Sequence, residues 1–221
     1  MLTPRLDMIL KNVSADFVAD IGTDHAYIPV ALAKKGVRVI ATDVSAGPLR
    51  SAEKTVRKNG VPVTLVLGDG LSPVPEGAVK EIIIAGMGGE LIKKIISDGI
   101  SKALSARLLL QPMNAQAEVR RFLIENGFFI EKEDLAAEGR KIYNLIIAKK
   151  GGSKLPSAEI DLHLPPVLYN HPLFPMLLEK KEREFSKQFN GLSKSKNGGA
   201  DELKRLGGLL SAINRIKEKE L

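Results

Sequence analysis

Three carboxylates, each closing or following a short apolar run, are the residues of this chain best suited to chemistry: Asp20 in FVAD, Asp43 after VRVIAT, and Asp69 in GDG after Leu65–Leu67. A β-branched run ended by an acid is the pattern of a buried parallel strand whose carboxyl end faces a ligand. Around Asp20, FVADIGTDHAYIP reads as strand, tight turn and helix. Gly22, Thr23, Asp24, His25 and Ala26 are small or turn-prone, and apolar residues resume at helical spacing from Ile28 to Lys35. The acids narrow the ligand. A pyrophosphate would meet like charge at Asp20 and Asp24, whereas a cationic amine or sulfonium is welcomed there, which points to S-adenosylmethionine. The same residues also suit a strand end and a helix cap, so the turn alone leaves both readings open.

The spacing around the turn adds to this. Asp43 follows Gly22 by about twenty residues, the interval at which an acid after the second strand of a nucleoside-binding α/β fold accepts hydrogen bonds from ribose hydroxyls. Its other reading is an N-cap for a helix over Ser45–Asn59. Asp69, between Gly68 and Gly70, is placed to accept from an exocyclic amine of adenine, although GDG also suits a simple turn. A fourth run, Lys80–Ala85, leads into Gly86-Met87-Gly88-Gly89 and a helix over Glu90–Asp98. Three glycines in four positions leave little bulk above that strand end, for a flat ligand or for a close helix contact. A fifth run, Arg107–Gln111, is stopped by Pro112, and the amides of Gln111 and Asn114 stand at the same rim, suited to reading a base edge. Arg5 could reach a phosphate, but a solvated arginine is the commoner case.

Strands alternating with helices position these groups. Leu6, Ile9, Leu10 and Val13 form one helical stripe before the first strand, and Phe128–Leu135 with Lys141–Ala148 read as an antiparallel hairpin around Glu138-Gly139. The expected fold is α/β with a Rossmann-like, mostly parallel sheet over residues 1–150. GGSKLPSAEIDLHLPP then reads as a linker over 151–172, in which His163 and His171 have no carboxylate partner at catalytic spacing. Residues 173–221 carry two amphipathic helices, Leu173–Ser195 and Leu203–Ile216, with Asn197-Gly198-Gly199 as the turn of a coiled-coil hairpin. The 221 residues contain 33 lysines and arginines against 26 acids, a net charge of +7 that favours a polyanionic partner or a merely basic surface. With no cysteine and three scattered histidines, disulfides, thiol chemistry and a metal site are not expected. No run approaches the roughly 20 apolar residues of a membrane span and the start lacks a secretory pattern, so no membrane partner and a cytoplasmic location are expected.

The order DIGTDHAYIP, ATD, GDG, AGMGG and LLLQPM, followed by a helical hairpin, resembles class I S-adenosylmethionine methyltransferases. More closely, it resembles the bacterial tRNA adenine-N1 methyltransferases that modify position twenty-two, over nearly the whole chain. The resemblance implies S-adenosyl-L-methionine as cofactor and tRNA as partner, with the chain a monomer or weak dimer. Asp20, Gly22 and Asp24 would hold the methionine end, Asp43 the ribose, and Asp69 and Gly70 the adenine, with Val44 also among the cofactor-binding residues. Ala85, Gly86, Met87 and Gly88 would form the seam between cofactor and target base. His25 and Tyr27 are the candidates for holding that base, with Met87 and Gln111 completing the catalytic set; a surface histidine and a packed tyrosine are the plain alternative. One departure is informative: AGMGG stands where amino-directed enzymes carry an Asn/Asp-Pro-Pro-aromatic box, which weakens an exocyclic-amine target and favours ring N1. Methylation of another RNA base, a catalytically silent RNA-binding module and a nicotinamide-dependent dehydrogenase are the competing readings. GTDHA lacks the glycines of the dinucleotide fingerprint, which counts against the last of these.

Overall fold

Each apolar run becomes a strand in the computed structural model, which describes residues 2–194 and 199–220. The strands are β1 (Phe17–Ile21), β2 (Arg38–Asp43), β3 (Thr64–Leu67), β4 (Glu81–Met87), β5 (Arg107–Pro112), β6 (Phe128–Glu138) and β7 (Lys141–Lys150). They form one sheet in the order β3-β2-β1-β4-β5-β7-β6. The first five are parallel, and β7 runs antiparallel to both β5 and β6. The order reverses between β1 and β4, the place in an open α/β sheet where a crevice forms beyond the strand ends.

The continuous apolar runs follow from burial on both faces. Ile82, Ile84, Leu108 and Leu110 face one core with Ile92 and Ile96 of α4 (Gly89–Asp98), Ala103 of α5 (Ile100–Leu104), and Val119 and Leu123 of α6 (Gln116–Glu125). Ile83 and Leu109 alternate to the other core, with Met8, Ile9 and Leu10 of α1 (Pro4–Asn12) and Ile28 and Leu32 of α2 (Tyr27–Ala33). Along β1, Val18 joins the second core and Ala19 and Ile21 the first. Asp20 therefore shares the face of Val18, under α1 and α2. The remaining helix, α3 (Ala46–Asn59), connects β2 to β3.

The differences from expectation have local causes. Pro112 still belongs to β5, opposite Met87 across a register shift at Gly86, so the ladder ends one residue later than its missing N–H implied. The hairpin is longer than its apolar pattern, because polar residues in β6 find partners. Glu133 is buried against Arg120 of α6 in a fork of hydrogen bonds of 2.7–3.1 Å. Helix α5 carried no visible signal in its five residues.

The chain divides into two compact units after Leu155. In the second, α7 (Ile160–His163), a 3-10 turn (Pro166–Leu168), α8 (Phe174–Ser193) and α9 (Ala200–Glu220) follow in order. Residues 156–172 thus differ from the free linker expected of 151–172: Ile160, Leu162, Leu164 and Leu168 are buried, spaced too irregularly to announce a helix. His163 Nε2 lies 3.7 Å from Glu159 Oε1 and its ring meets Phe185 edge-on. Lys217 Nζ donates to both carboxylate oxygens of Glu182 at 2.7 Å, and Gly207 passes close to Phe189, so α8 and α9 pair antiparallel. The turn expected at Asn197-Gly198 lies outside the described residues. No helix among the described residues is long and apolar enough to cross a membrane.

Candidate functional site

The turn after β1 is strained and clamped. Gly22 takes φ +72°, and Asp24 and Ala26 are also left-handed, at φ 49° and 56°. The two non-glycine residues cost on the order of 1–2 kcal/mol each. Strain of this kind persists where surrounding bonds hold it, and it gathers at functional sites. Here Gly22 N and Thr23 N donate to Thr42 O at 2.8 and 2.9 Å. Asp43 Oδ2 accepts from Asp24 N at 3.4 Å, and its Oδ1 accepts from Ser45 N at 2.9 Å. Ser45, not Asp43, occupies the N-cap position of α3. A carboxylate has about four acceptor sites, so Asp43 keeps capacity for a ligand.

This turn and the end of β4 enclose a cleft of about 370 Å³ at the reversal of strand order. Asp20, Gly22, Asp24, His25, Tyr27, Ala85, Gly86 and Met87 all line it. Asp20 is 5% exposed, and burial pushes its carboxyl up to about 6; the nearby Asp43 charge adds to the rise and the Thr23 hydroxyl works against it. The buried Thr23 Oγ1 still has no hydrogen bond of normal geometry. A buried carboxylate lining a cleft is a group that a cationic ligand would satisfy. Met87 packs down onto Gly22: a Cβ there would stand 2.0 Å from Met87 Cε, so any side chain at this position must displace the Met87 tip. At the mouth, the His25 and Tyr27 rings stack at 5.5 Å between centroids, and Tyr27 is 51% exposed. His25 Nε2 lies 3.7 Å from Asp24 Oδ2.

Other candidates fall elsewhere. Asp69 and Gly70 line a separate depression of about 380 Å³ with Leu91, Lys94 and Lys102, so Asp20, Asp43 and Asp69 follow one rim without sharing a single cavity. The rim is continuous through β3, where Gly68 N donates to Asp43 O at 3.0 Å. Val44 is exposed on it. Gly89 serves packing, as its N donates to Asn114 Oδ1 at 2.9 Å and a Cβ on it would meet Ala115 Cβ at 2.8 Å, whereas Gly88, the N-cap of α4, does not line the cleft. Gln111 is fully buried, and its Oε1 accepts from Gly86 N at 3.2 Å and Arg5 Nη1 at 3.0 Å. It positions its neighbours and does not stand free at the rim as an amide for a base edge. Arg5, expected as a solvated arginine or a phosphate contact, and Thr23, expected only as a turn residue, also line the cleft. Thr23 was legible only as a small turn residue, and nothing near Arg5 in sequence marks it. Among the described residues no cluster of three or more His, Asp or Glu could hold a metal ion.

Comparison with known proteins agrees with this fold. Residues 2–146 match the family described as a methyltransferase domain. The chain is 34% identical over 156 residues to the tRNA (adenine(22)-N(1))-methyltransferase of Bacillus subtilis (strain 168), a match covering 68% of this chain and 66% of that relative, just under two thirds of its length. Among solved structures, a Streptococcus pneumoniae protein assigned as a tRNA (m1A22) methyltransferase, in complex with S-adenosyl-L-methionine, aligns with a TM-score of 0.83 at 32% identity over 98% of this chain and 99% of its own. The B. subtilis m1A22 tRNA methyltransferase TrmK aligns with a TM-score of 0.83 at 26% identity, over 99% and 98% of the two chains.

Proposed function

The chain belongs to the methyltransferase-domain family, and on that footing we propose that it transfers a methyl group from S-adenosyl-L-methionine to N1 of adenine 22 of tRNA, the position in the name of its Bacillus subtilis relative. The observation that carries this reading is the acidic, glycine-floored cleft between the ends of β1 and β4, with the exposed His25–Tyr27 stack at its mouth. When bound, the cofactor supplies an electrophilic methyl group on a sulfonium.

The chain's own residues do the rest. Asp43 accepts from the ribose hydroxyls, and Asp20 and Asp24 offset positive charge at the amino-acid end. Asp69, further along the rim, accepts from the adenine amine of the cofactor. His25 and Tyr27 offer rings on which the target base stacks, and Met87 lies between that base and Gly22. Ring N1 of adenine has an in-plane lone pair, so no residue has to remove a proton before attack. This fits the end of β4 and the start of α4, Ala85, Gly86, Met87, Gly88 and Gly89, whose side chains hold no carboxylate or amide. Rate then comes from orienting the base in line with the methyl group and excluding water.

Freeing the Watson–Crick edge requires an unpaired or outturned nucleotide, so recognition rests on RNA shape and phosphate contacts. The net charge of +7 supplies the attraction, and the lysine-bearing helices α8 and α9 act as the RNA-binding extension. A tRNA substrate implies action in the cytoplasm. The test is incubation of unmodified tRNA with the protein and labelled cofactor, followed by nucleoside digestion and mass spectrometry. N1-methyladenosine at one D-arm site is expected; label in N6-methyladenosine, in another base or in no RNA would overturn the proposal.

A further inference from the structure

Helix α1 brings a permanent cation into a cleft otherwise bordered by acids. The Arg5 guanidinium lines the same cleft as Asp20 and Asp24. Its Nη1 donates to Gln111 Oε1, the fully buried oxygen that also accepts from Gly86 N. Its backbone N donates to Glu138 Oε1 at 3.0 Å, which fixes the start of α1 to the end of β6, and its Cζ stands 5.7 Å from the centre of the Tyr143 ring. The guanidinium is thus held by one contact at its tip and one over its face, and it forms no ion pair among the described residues. A guanidinium carries five N–H donors, and the hydrogen bond to Gln111 uses one of them.

We propose that Arg5 binds the α-carboxylate of S-adenosyl-L-methionine. This rests on the reading of the cleft as the cofactor site. The amino-acid end of that molecule carries an ammonium and a carboxylate beside the sulfonium. Asp20 and Asp24 suit the two cations and repel the carboxylate, which needs a cation of its own. Arg5 is the permanently charged one among the cleft residues, and a guanidinium presents paired donors matching a carboxylate. Reaction chemistry argues the same way. Methylation of neutral N1 leaves the target base positively charged, and a fixed guanidinium against that base would oppose the charge as it develops. Arg5 therefore belongs to the cofactor side of the cleft, with Gln111 as its positioning residue.

Calorimetry on the full chain and on Arg5→Gln, with S-adenosyl-L-methionine and with its decarboxylated analogue, tests this. The analogue keeps the ammonium and sulfonium and lacks only the carboxylate. The wild-type chain is expected to bind the analogue about 10- to 100-fold more weakly than the cofactor, as loss of charge-assisted hydrogen bonds implies. Arg5→Gln is expected to lose a similar factor for the cofactor and none for the analogue, which also serves as the control for folding. An undiminished preference for the cofactor in Arg5→Gln, or an equal loss with both ligands, would overturn the proposal. So would unchanged cofactor affinity with a raised KM for tRNA, which would make Arg5 a phosphate contact instead. Binding of neither nucleoside by the wild-type chain would overturn the cofactor-site reading itself, and this proposal with it.

Discussion

Replacing Asp20 by Asn should separate folding from function with opposite signs. In the folded chain the carboxyl is 5% exposed and its pKa is raised from 3.8 to about 6, chiefly by burial. A rise of about 2 units corresponds to roughly 3 kcal/mol. Because the folded pKa lies above the unfolded one, the stability linked to this proton is fully present below about pH 4 and is lost as pH rises through about 6. At pH 7.5 the ligand-free chain thus holds a buried charge at a cost of up to about 3 kcal/mol. Asp20→Asn removes that cost, so urea unfolding of the ligand-free variant at pH 7.5 should show higher stability than wild type, the gap closing toward pH 4. Cofactor affinity should move the other way. Wild-type affinity should rise between pH 5 and 7 as Asp20 ionises, and the variant should bind weakly at every pH. Parallel stability profiles of the two chains, or full cofactor affinity in Asp20→Asn, would refute the assignment of Asp20 as the counter-charge to a cationic ligand.

Three other outcomes follow from the same geometry. Asp43→Ala should weaken cofactor binding by about 1.5–3 kcal/mol in calorimetry, since charge-assisted hydrogen bonds are lost; unchanged affinity would remove Asp43 from the site. Gly22→Ala should lower stability by about 1–2 kcal/mol from its left-handed backbone alone, and its Cβ should push Met87 into the cleft and reduce cofactor affinity; a variant with wild-type melting temperature and affinity would contradict this. A chain ending at Leu155 keeps every cleft residue, so it should bind the cofactor and lose affinity for tRNA in filter binding. Equal tRNA affinity would deny α8 and α9 their RNA-binding role.

The strands and the turn after β1 were legible because their causes are local. Ile82, Ile83 and Ile84 form an unbroken apolar run since the sheet is covered on both faces, and Gly22 precedes a turn that needs a left-handed residue. What escaped was set by contacts distant in sequence. Arg5 meets Gln111 across 106 residues, and no pattern around either residue encodes that meeting. The same pairing buries Gln111, which as an isolated amide after a strand read as a rim group. Glu133 is buried by its partner Arg120 on α6, a pairing that no local pattern encodes. The buried apolar residues between 156 and 172 gave no period, because they fall on a four-residue helix, a 3-10 turn and the chain between them and not on one face of a long helix. Asp69 shows the limit in the other direction: its place after β3 was read correctly, yet the depression it lines is not the one that holds Asp20.

The most direct measurement is a crystal structure of the chain with S-adenosyl-L-homocysteine. The nucleoside is expected at the reversal between β1 and β4, its ribose on Asp43 and its amino-acid end between Asp20 and Gly86. Density for the nucleoside outside that cleft, with Asp20 and Asp43 left untouched, would contradict the site from which the function is inferred.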